Sequence, residues 1–273
     1  MSVTLAFESG NSLAVDVRSL QPDVVTGLSK GEIEKLPLAV GRQSVRLGDL
    51  CKVKRSSRGR EKLILEGDTA CLSRAGSRMQ AGNLVIAGDA GELTGVEMQN
   101  GEIEVCGSAG DCLGLAMQGG LIRVKGNVGN WCGAGLPGQI KGMLGGKILV
   151  GGDAGRELGA GMRRGLIYIA GDAGEYTAAH MLSGSIFVAG GLGTGSGLDM
   201  RRGSLVAGRL DNLLPGFRPA GPADNEWVQI YLRWMENAGC APLAHWMGRA
   251  SHRFTGDVLE SGKGEIIVYD LIE

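Results

Sequence analysis

The sequence predicts an all-β chain wound as a parallel β-helix, a solenoid with turns of about 19 residues. Three observations predict it. Methionines stand at Met79, Met98, Met117, Met143, Met162, Met181 and Met200, so seven of the ten in the chain share one position of a repeat. The step is 19 everywhere except the 26 between Met117 and Met143, a unit carrying a seven-residue insertion. Glycines keep the same register three residues later, from Gly82 to Gly203, with further sets six and nine residues beyond it, headed by Gly88 and Gly91. Within each unit, apolar residues alternate with polar ones. In Gly101-Glu-Ile-Glu-Val-Cys-Gly107, Ile103 and Val105 point to one face while Glu102 and Glu104 point to the other.

The elements follow in order. Residues 1–58 read as an N-terminal cap and lead-in, with strand-like stretches Val3–Phe7 and Leu13–Val17 and a mixed segment containing Leu36–Val40. Residues 59–209 carry the repeats. Their short strands are marked by Leu84/Ile86, Ile103/Val105, Ile122/Val124, Ile148/Val150, Ile167/Ile169 and Ile186/Val188. Nineteen residues are too few for two helices, and stacking seven or eight turns at ~4.8 Å gives a rod about 35–40 Å long. The glycines mark corners, where positive φ or close backbone approach excludes a Cβ. The methionines are core filler stacked turn on turn rather than ligands for a soft metal, since no Cys/His cluster accompanies them.

Residues 210–273 form a C-terminal extension holding seven of the twelve aromatics. Asp224 is placed to cap a helix that runs to Glu236–Ala238 and stops at Gly239. Trp227, Ile230, Tyr231, Trp234 and Met235 fall at i, i+3, i+4, i+7 and i+8, which predicts that this face packs on the coil or on another subunit. The terminal segments are the natural covers for the unpaired strand edges of a coil.

Composition narrows the function. Glycine makes up 49 of 273 residues, against a typical ~7%. With 28 Lys+Arg against 29 Asp+Glu the net charge is −1, which offers no field for nucleic acid or an anionic membrane. No apolar run is long enough to span a bilayer and nothing reads as an export signal, so the expected location is cytoplasmic, with the six cysteines as reduced thiols.

No catalytic, cofactor or metal constellation emerges. Asp68, Asp89, Asp153 and Asp172 recur at the corner after the second glycine, but the period is not that of calcium-binding β-rolls, and they read as side chains capping corner amides. Gly133-Ala-Gly-Leu-Pro-Gly138 matches a dinucleotide fingerprint without its strand-to-helix context. It lies in the insertion, where residues 133–142 must bulge from the coil as an exposed loop and possible partner contact. Of the three histidines, His180 precedes a ladder methionine and reads as structural, while His245 and His252 flank a Trp-bearing loop as interface residues. Arg163-Arg164 and Arg201-Arg202 occupy equivalent positions two turns apart, a basic stripe that is either a solvated face or a contact for an acidic partner or polyanion.

The unit Met-x-x-Gly-x-Ile-x-Val-x-Gly-Asp-x-Gly resembles the Gly-x-Gly-x-Gly β-helix superfamily, which includes the C-terminal domain of glutamate synthase. The lead-in Leu47-Gly-Asp-Leu-Cys-Lys-Val53, the insertion ahead of Gly142-Met143 and the aromatic helix after the last turn resemble one branch of it, the C subunit family. That family is shared by formylmethanofuran dehydrogenase and the bacterial formyltransferase/hydrolase complex of methylotrophs. Nineteen Arg against nine Lys is unlike the Lys/Glu-rich hyperthermophile habit and favours the bacterial branch.

The resemblance implies a right-handed coil and a non-catalytic structural subunit of a cytoplasmic hetero-oligomer. That assembly converts formyl-tetrahydromethanopterin to formate through a formyl-methanofuran-type intermediate in one-carbon metabolism and formaldehyde oxidation. The implied partners are a formyltransferase subunit, an amidohydrolase-like subunit and one further subunit. A methanofuran-type coenzyme, tetrahydromethanopterin and zinc are expected on those partners and none on this chain. No catalytic residue transfers; Arg163, Arg164, Arg201 and Arg202 are the expected contacts for a partner or a polyglutamyl tail. The alternative readings are the C subunit of a molybdenum or tungsten formylmethanofuran dehydrogenase, a glutamate-synthase-type module and a carbohydrate-active β-helix enzyme.

Overall fold

The computed structural model describes residues 2–8, 14–57, 61–222, 226–240 and 246–271. The lead-in folds as β1 (Ser2–Phe7), β2 (Val15–Asp16), the short helices α1 (Pro22–Val25) and α2 (Lys30–Glu34), then β3 (Pro37–Val40), β4 (Gln43–Arg46) and β5 (Cys51–Ser56). The repeats supply β6 (Lys62–Gly67), β7 (Leu72–Ser73), β8 (Asn83–Ile86), β9 (Glu102–Val105), β10 (Leu121–Val124), β11 (Lys147–Val150), β12 (Leu166–Ile169), β13 (Ser185–Leu192) and β14 (Arg202–Leu210). The chain ends with β15 (Arg218–Pro222), the helix α3 (Glu226–Asn237), β16 (His252–Gly256) and β17 (Lys263–Leu271). The protein is therefore all-β apart from short helices. β2 falls inside the predicted stretch Leu13–Val17, of which Leu13 alone lies outside the described residues, as does the predicted cap Asp224.

One thirteen-stranded sheet carries the architecture, in the order β15-β16-β17-β14-β13-β12-β11-β10-β9-β8-β6-β1-β5. Strands from successive repeats pair in parallel and in register, so Ile103 lies beside Ile122, Ile122 beside Ile148, and Ile148 beside Ile167. Both termini join this stack. β1 pairs in parallel with β6 through Val3 and Leu63, and β17 pairs in parallel with β14 through Leu205 and Ile266. An aliphatic ladder thus runs from Val3 to Ile266 with every rung buried. A second row of parallel bridges joins Ala90, Ala109, Val128, Ala154, Ala173 and Leu192.

The three glycine sets have different physical causes. The first occupies the left-handed region, with φ of +93° at Gly101 and +86° at Gly120. Its coincidence with the methionines also has a packing reason. A Cβ on Gly101 would lie 2.6 Å from Met79 Cε, and one on Gly120 would lie 2.8 Å from Met98 Cε, so each methionine's methyl fills the corner left open one repeat later. The second and third sets are not at positive φ and are fixed by close approach. A Cβ on Gly91 would lie 2.4 Å from the Leu72 carbonyl oxygen.

From Asp89 onward the turn side chains cap corner amides, and they do so between repeats. Asp89 Oδ1 accepts from the Ser108 amide at 2.7 Å, Ser108 Oγ from the Asn127 amide at 3.1 Å, and Asn127 Oδ1 from the Asp153 amide at 2.8 Å. The row continues as Asp153 Oδ1 accepts from the Asp172 amide at 2.9 Å and Asp172 Oδ1 from the Gly191 amide at 2.6 Å. Each side chain satisfies the amide of the equivalent residue in the next repeat. Asp153→Ala is expected to cost about 1 kcal/mol in urea unfolding, with Asp153→Asn close to wild type because the acceptor survives. Equal losses for both variants contradict this role.

Helix α3 lies on the outer face of the sheet. Val228, Leu232 and Met235 are its buried residues, packed against Leu149, Tyr168, Phe187 and Val206. The predicted face divides: Met235 is buried and Trp227 and Trp234 are partly buried against the sheet, Ile230 and Tyr231 remain exposed, and the deepest contacts come from Val228 and Leu232 beside that face. The sheet anticipates the helix. The outward column reads Glu104 and Arg123 in β9 and β10, then Leu149, Tyr168, Phe187 and Val206 in β11 to β14. β12 is accordingly buried on both faces.

Burial pushes the Cys51 and Cys132 thiols up to about 12 from an ordinary 9.0. The unfolded chain ionises first, so both thiols stabilise the fold fully below pH 9 and lose that contribution as pH rises toward 12. Iodoacetamide near pH 8 is expected to spare both in the native chain and label both in urea. Native labelling of Cys132 contradicts the burial.

Candidate functional site

Between the second bridge row and each methionine, the chain adopts an unusual strip. In the unit from Gly91 to Met98, φ is +60° at Leu93, +69° at Gly95 and +55° at Glu97, so every second residue is left-handed. The amides of Leu93 and Glu97 donate forward to Asp111 and Leu115, while that of Gly95 donates back to Ala75. The strip therefore hydrogen-bonds both neighbouring repeats without being a regular strand. Gly95 faces the core, since a Cβ there would lie 2.5 Å from Ile122 Cδ1. The flanking positions take ordinary side chains in left-handed backbone, among them Cys112, Trp131, Glu157, Tyr176, His180 and Asp199. That costs about 1 kcal/mol per residue. Because it recurs in unit after unit, the strain belongs to the architecture and does not single out one residue for chemistry.

The outer side of this strip, with the insertion leaning over it, forms a groove of about 850 Å³. Its floor is apolar. Val96, Leu115 and Ala134 are buried there, with Leu93, Cys112, Leu136 and Ala160 packed against them. Trp131 and Ile140 stand on the rim, 40% and 78% exposed. The predicted bulge thus supplies one wall, through Leu136, Pro137, Gln139 and the exposed Ile140. At one end of the groove sit His180 and Asp199, with Nδ1 and Oδ2 3.3 Å apart, and the Arg201–Glu260 pair at 2.8 Å. His180 is an exposed residue of this groove, paired with Asp199. The Cys112 thiol is raised by burial and by the charges of Asp111 and Glu92, so it stays protonated and is a poor nucleophile. Among the described residues no three His, Cys, Asp or Glu side chains gather as a metal set.

A second groove, about 500 Å³, opens on the other side of the glycine corner, between Gly146, Lys147, Gly165 and Leu166 of the stack and Ile230, Tyr231 and Trp234 of α3. Lys147 Nζ lies 4.5 Å from the centre of the Trp234 ring.

The predicted arginines stand on the corner between the grooves. All four are exposed. Arg201 is paired with Glu260, whereas Arg163, Arg164 and Arg202 form no ion pair among the described residues. The register Leu166–Ser185–Ser204 aligns Arg164, Ser183 and Arg202, and the pairing of β14 with β17 places Lys263 beside Arg202. The stripe is therefore longer than the repeat alone discloses, because the last strand extends it by one cation. His252 is exposed on β16, and His245 lies outside the described residues. Trp246, beside it, is buried and stacks on Tyr269 with ring centres 4.5 Å apart.

No family model matches the chain. Over 78 residues, 29% of this chain and 29% of the relative, it is 36% identical to the C subunit of the formyltransferase/hydrolase complex of Methylorubrum extorquens. Among solved structures, it superposes on a chain of the crystal structure of the formyltransferase/hydrolase complex from Methylorubrum extorquens in complex with methylofuran. The TM-score is 0.91 and the identity 34%, covering 98% of this chain and 99% of that one.

Proposed function

Because the chain belongs to the C subunit family of formyltransferase/hydrolase complexes, we propose that it is the non-catalytic structural subunit of such a complex. In this reading the assembly passes a formyl group from formyl-tetrahydromethanopterin to a methanofuran-type carrier and releases it as formate. A formyltransferase subunit, an amidohydrolase-like subunit and one further subunit are its partners. The coenzymes and zinc sit on those partners, and the assembly works in the cytoplasm. The observation that carries the proposal is the correspondence over 98% of the chain to a chain of a solved formyltransferase/hydrolase complex.

The same reading gives the ladders a common origin. The sheet, the bridge row and the left-handed strip are three faces of one right-handed parallel β-helix, with 59–209 as its turns, 1–58 as the cover at one end and 210–273 as the extension at the other. A coil bonded to itself on every face is stiff, and stiffness is what a subunit needs in order to fix the distance between two active sites.

Native mass spectrometry of the complex purified from its own cell tests the proposal. The expected result is this chain in fixed stoichiometry with formyltransferase and amidohydrolase-like subunits. A lone monomer, or co-purifying molybdopterin and iron–sulfur subunits, overturns it.

A further inference from the structure

One flank of α3 leaves apolar side chains exposed beside the sheet, and they are held in place. Ile230 is 67% exposed and Tyr231 is 37% exposed. The Tyr231 ring stacks on Phe187 with centres 5.6 Å apart, and Trp227 meets Tyr231 edge-on at 5.8 Å. Such aromatics contribute contact area without much loss of side-chain freedom on binding. The groove beside them is floored by the Lys147 stem, and its ammonium, held over Trp234, has no carboxylate partner among the described residues.

Cations continue from there. Arg164 adjoins Gly165, a wall residue of the same groove. Arg202 stands two strands on, about 10 Å away at the strand spacing, and Lys263 one strand beyond it. Glu265, the nearest acid on β17, is engaged by the Ser204 hydroxyl at 2.6 Å.

Resting on the reading that this chain works inside a hetero-oligomer, we propose that the α3 groove and the Arg164–Arg202–Lys263 row together dock an acidic, apolar-anchored segment of one partner subunit. The anchor enters between Ile230, Tyr231 and Lys147. Two or more carboxylates beside it span Arg164 and Arg202. Charge complementarity selects this occupant. A second copy of the chain is disfavoured, because a two-fold contact through this face sets the cations against themselves. A polyglutamyl tail matches the row but has no apolar group to fill the groove.

The test places a photo-crosslinking residue at Ile230 of the full chain, in the assembled complex. The expected product is a single adduct to a partner peptide carrying at least two Asp or Glu beside an apolar side chain. Lys147→Glu with Arg164→Glu is expected to weaken retention of that same partner by about tenfold or more, and Lys147→Arg to leave it unchanged. An adduct to a second copy, to the coenzyme tail or to a peptide without carboxylates overturns the proposal, as does an intact complex with no adduct. A wild-type chain that holds no partner at all instead overturns the scaffold reading, and this proposal with it.

Discussion

Gly91→Ala is expected to disrupt the stack around its own repeat, with a loss of about 3 kcal/mol or more. The added Cβ has no side chain to push aside. It lies 2.4 Å from the Leu72 carbonyl oxygen and 2.8 Å from that of Ala70, both backbone atoms of the preceding repeat. Relief requires the repeats to part, and parting breaks the bonds between them on either side. Because each repeat touches only its neighbours, the damage is local and unfolding loses its single step. Amide exchange is expected to speed up first in β7 and β8. Gly138→Ala is the control: φ there is +80° but nothing lies within 4 Å of the added atom, so the cost is the backbone strain alone, about 1 kcal/mol. Equal losses in urea for the two variants contradict the close-approach account.

Met117→Ala is expected to cost about 3 kcal/mol. Met117 is fully buried, and its methyl group lies 2.8 Å from where a Cβ on Gly146 would stand. Truncation opens a void inside the stack that the rigid rungs above and below cannot close. Met117→Leu keeps most of the volume and is expected to cost less than about 1.5 kcal/mol. The coupling between methionine and corner glycine makes a further distinction. Met98→Ala does not make room for alanine at position 120, because the Gly101 carbonyl oxygen also lies 2.8 Å from that Cβ. The double variant is therefore expected to be less stable than either single one. Mutual rescue is the contrary result.

Much of this structure can be read from the sequence because the repeat imposes its period on every layer. Ile103, Ile122 and Ile148 announce both the strand and its register, since period-two alternation and the 19-residue step act on the same residues. Met98 and Gly101 announce a corner. What the period cannot convey is the direction of a bond. Asp153 has the same identity whether it caps its own corner or the next one, and only the stacking shows that it reaches the Asp172 amide. The left-handed strip is hidden for a related reason. Leu93, Cys112 and Trp131 share no residue type, so no ladder of letters marks the conformation that the hydrogen bonds on both sides enforce.

On the helix, the aromatics mislead. Trp227, Tyr231 and Trp234 are the bulkiest residues of α3, yet they meet the sheet only at its flank, whereas Val228 and Leu232 are fully buried against it. The correct side is signalled elsewhere, in the change of the outward column from Glu104 and Arg123 to Leu149, Tyr168 and Phe187. The arginine stripe is legible as far as Arg202. Its last member, Lys263, lies outside the repeat and joins it only through the pairing of β17 with β14.

The central claim is that this chain holds active sites borne by other subunits and performs no chemistry itself. Reconstitution of the complex with and without the chain tests it most directly, with the formyl-transfer and formate-releasing half-reactions assayed separately and then together. The account predicts that each half-reaction persists on its own subunit when the chain is left out, while the coupled conversion to formate collapses and returns on adding the chain back. Formate release by the isolated chain, or coupled turnover at the full rate without it, contradicts the account.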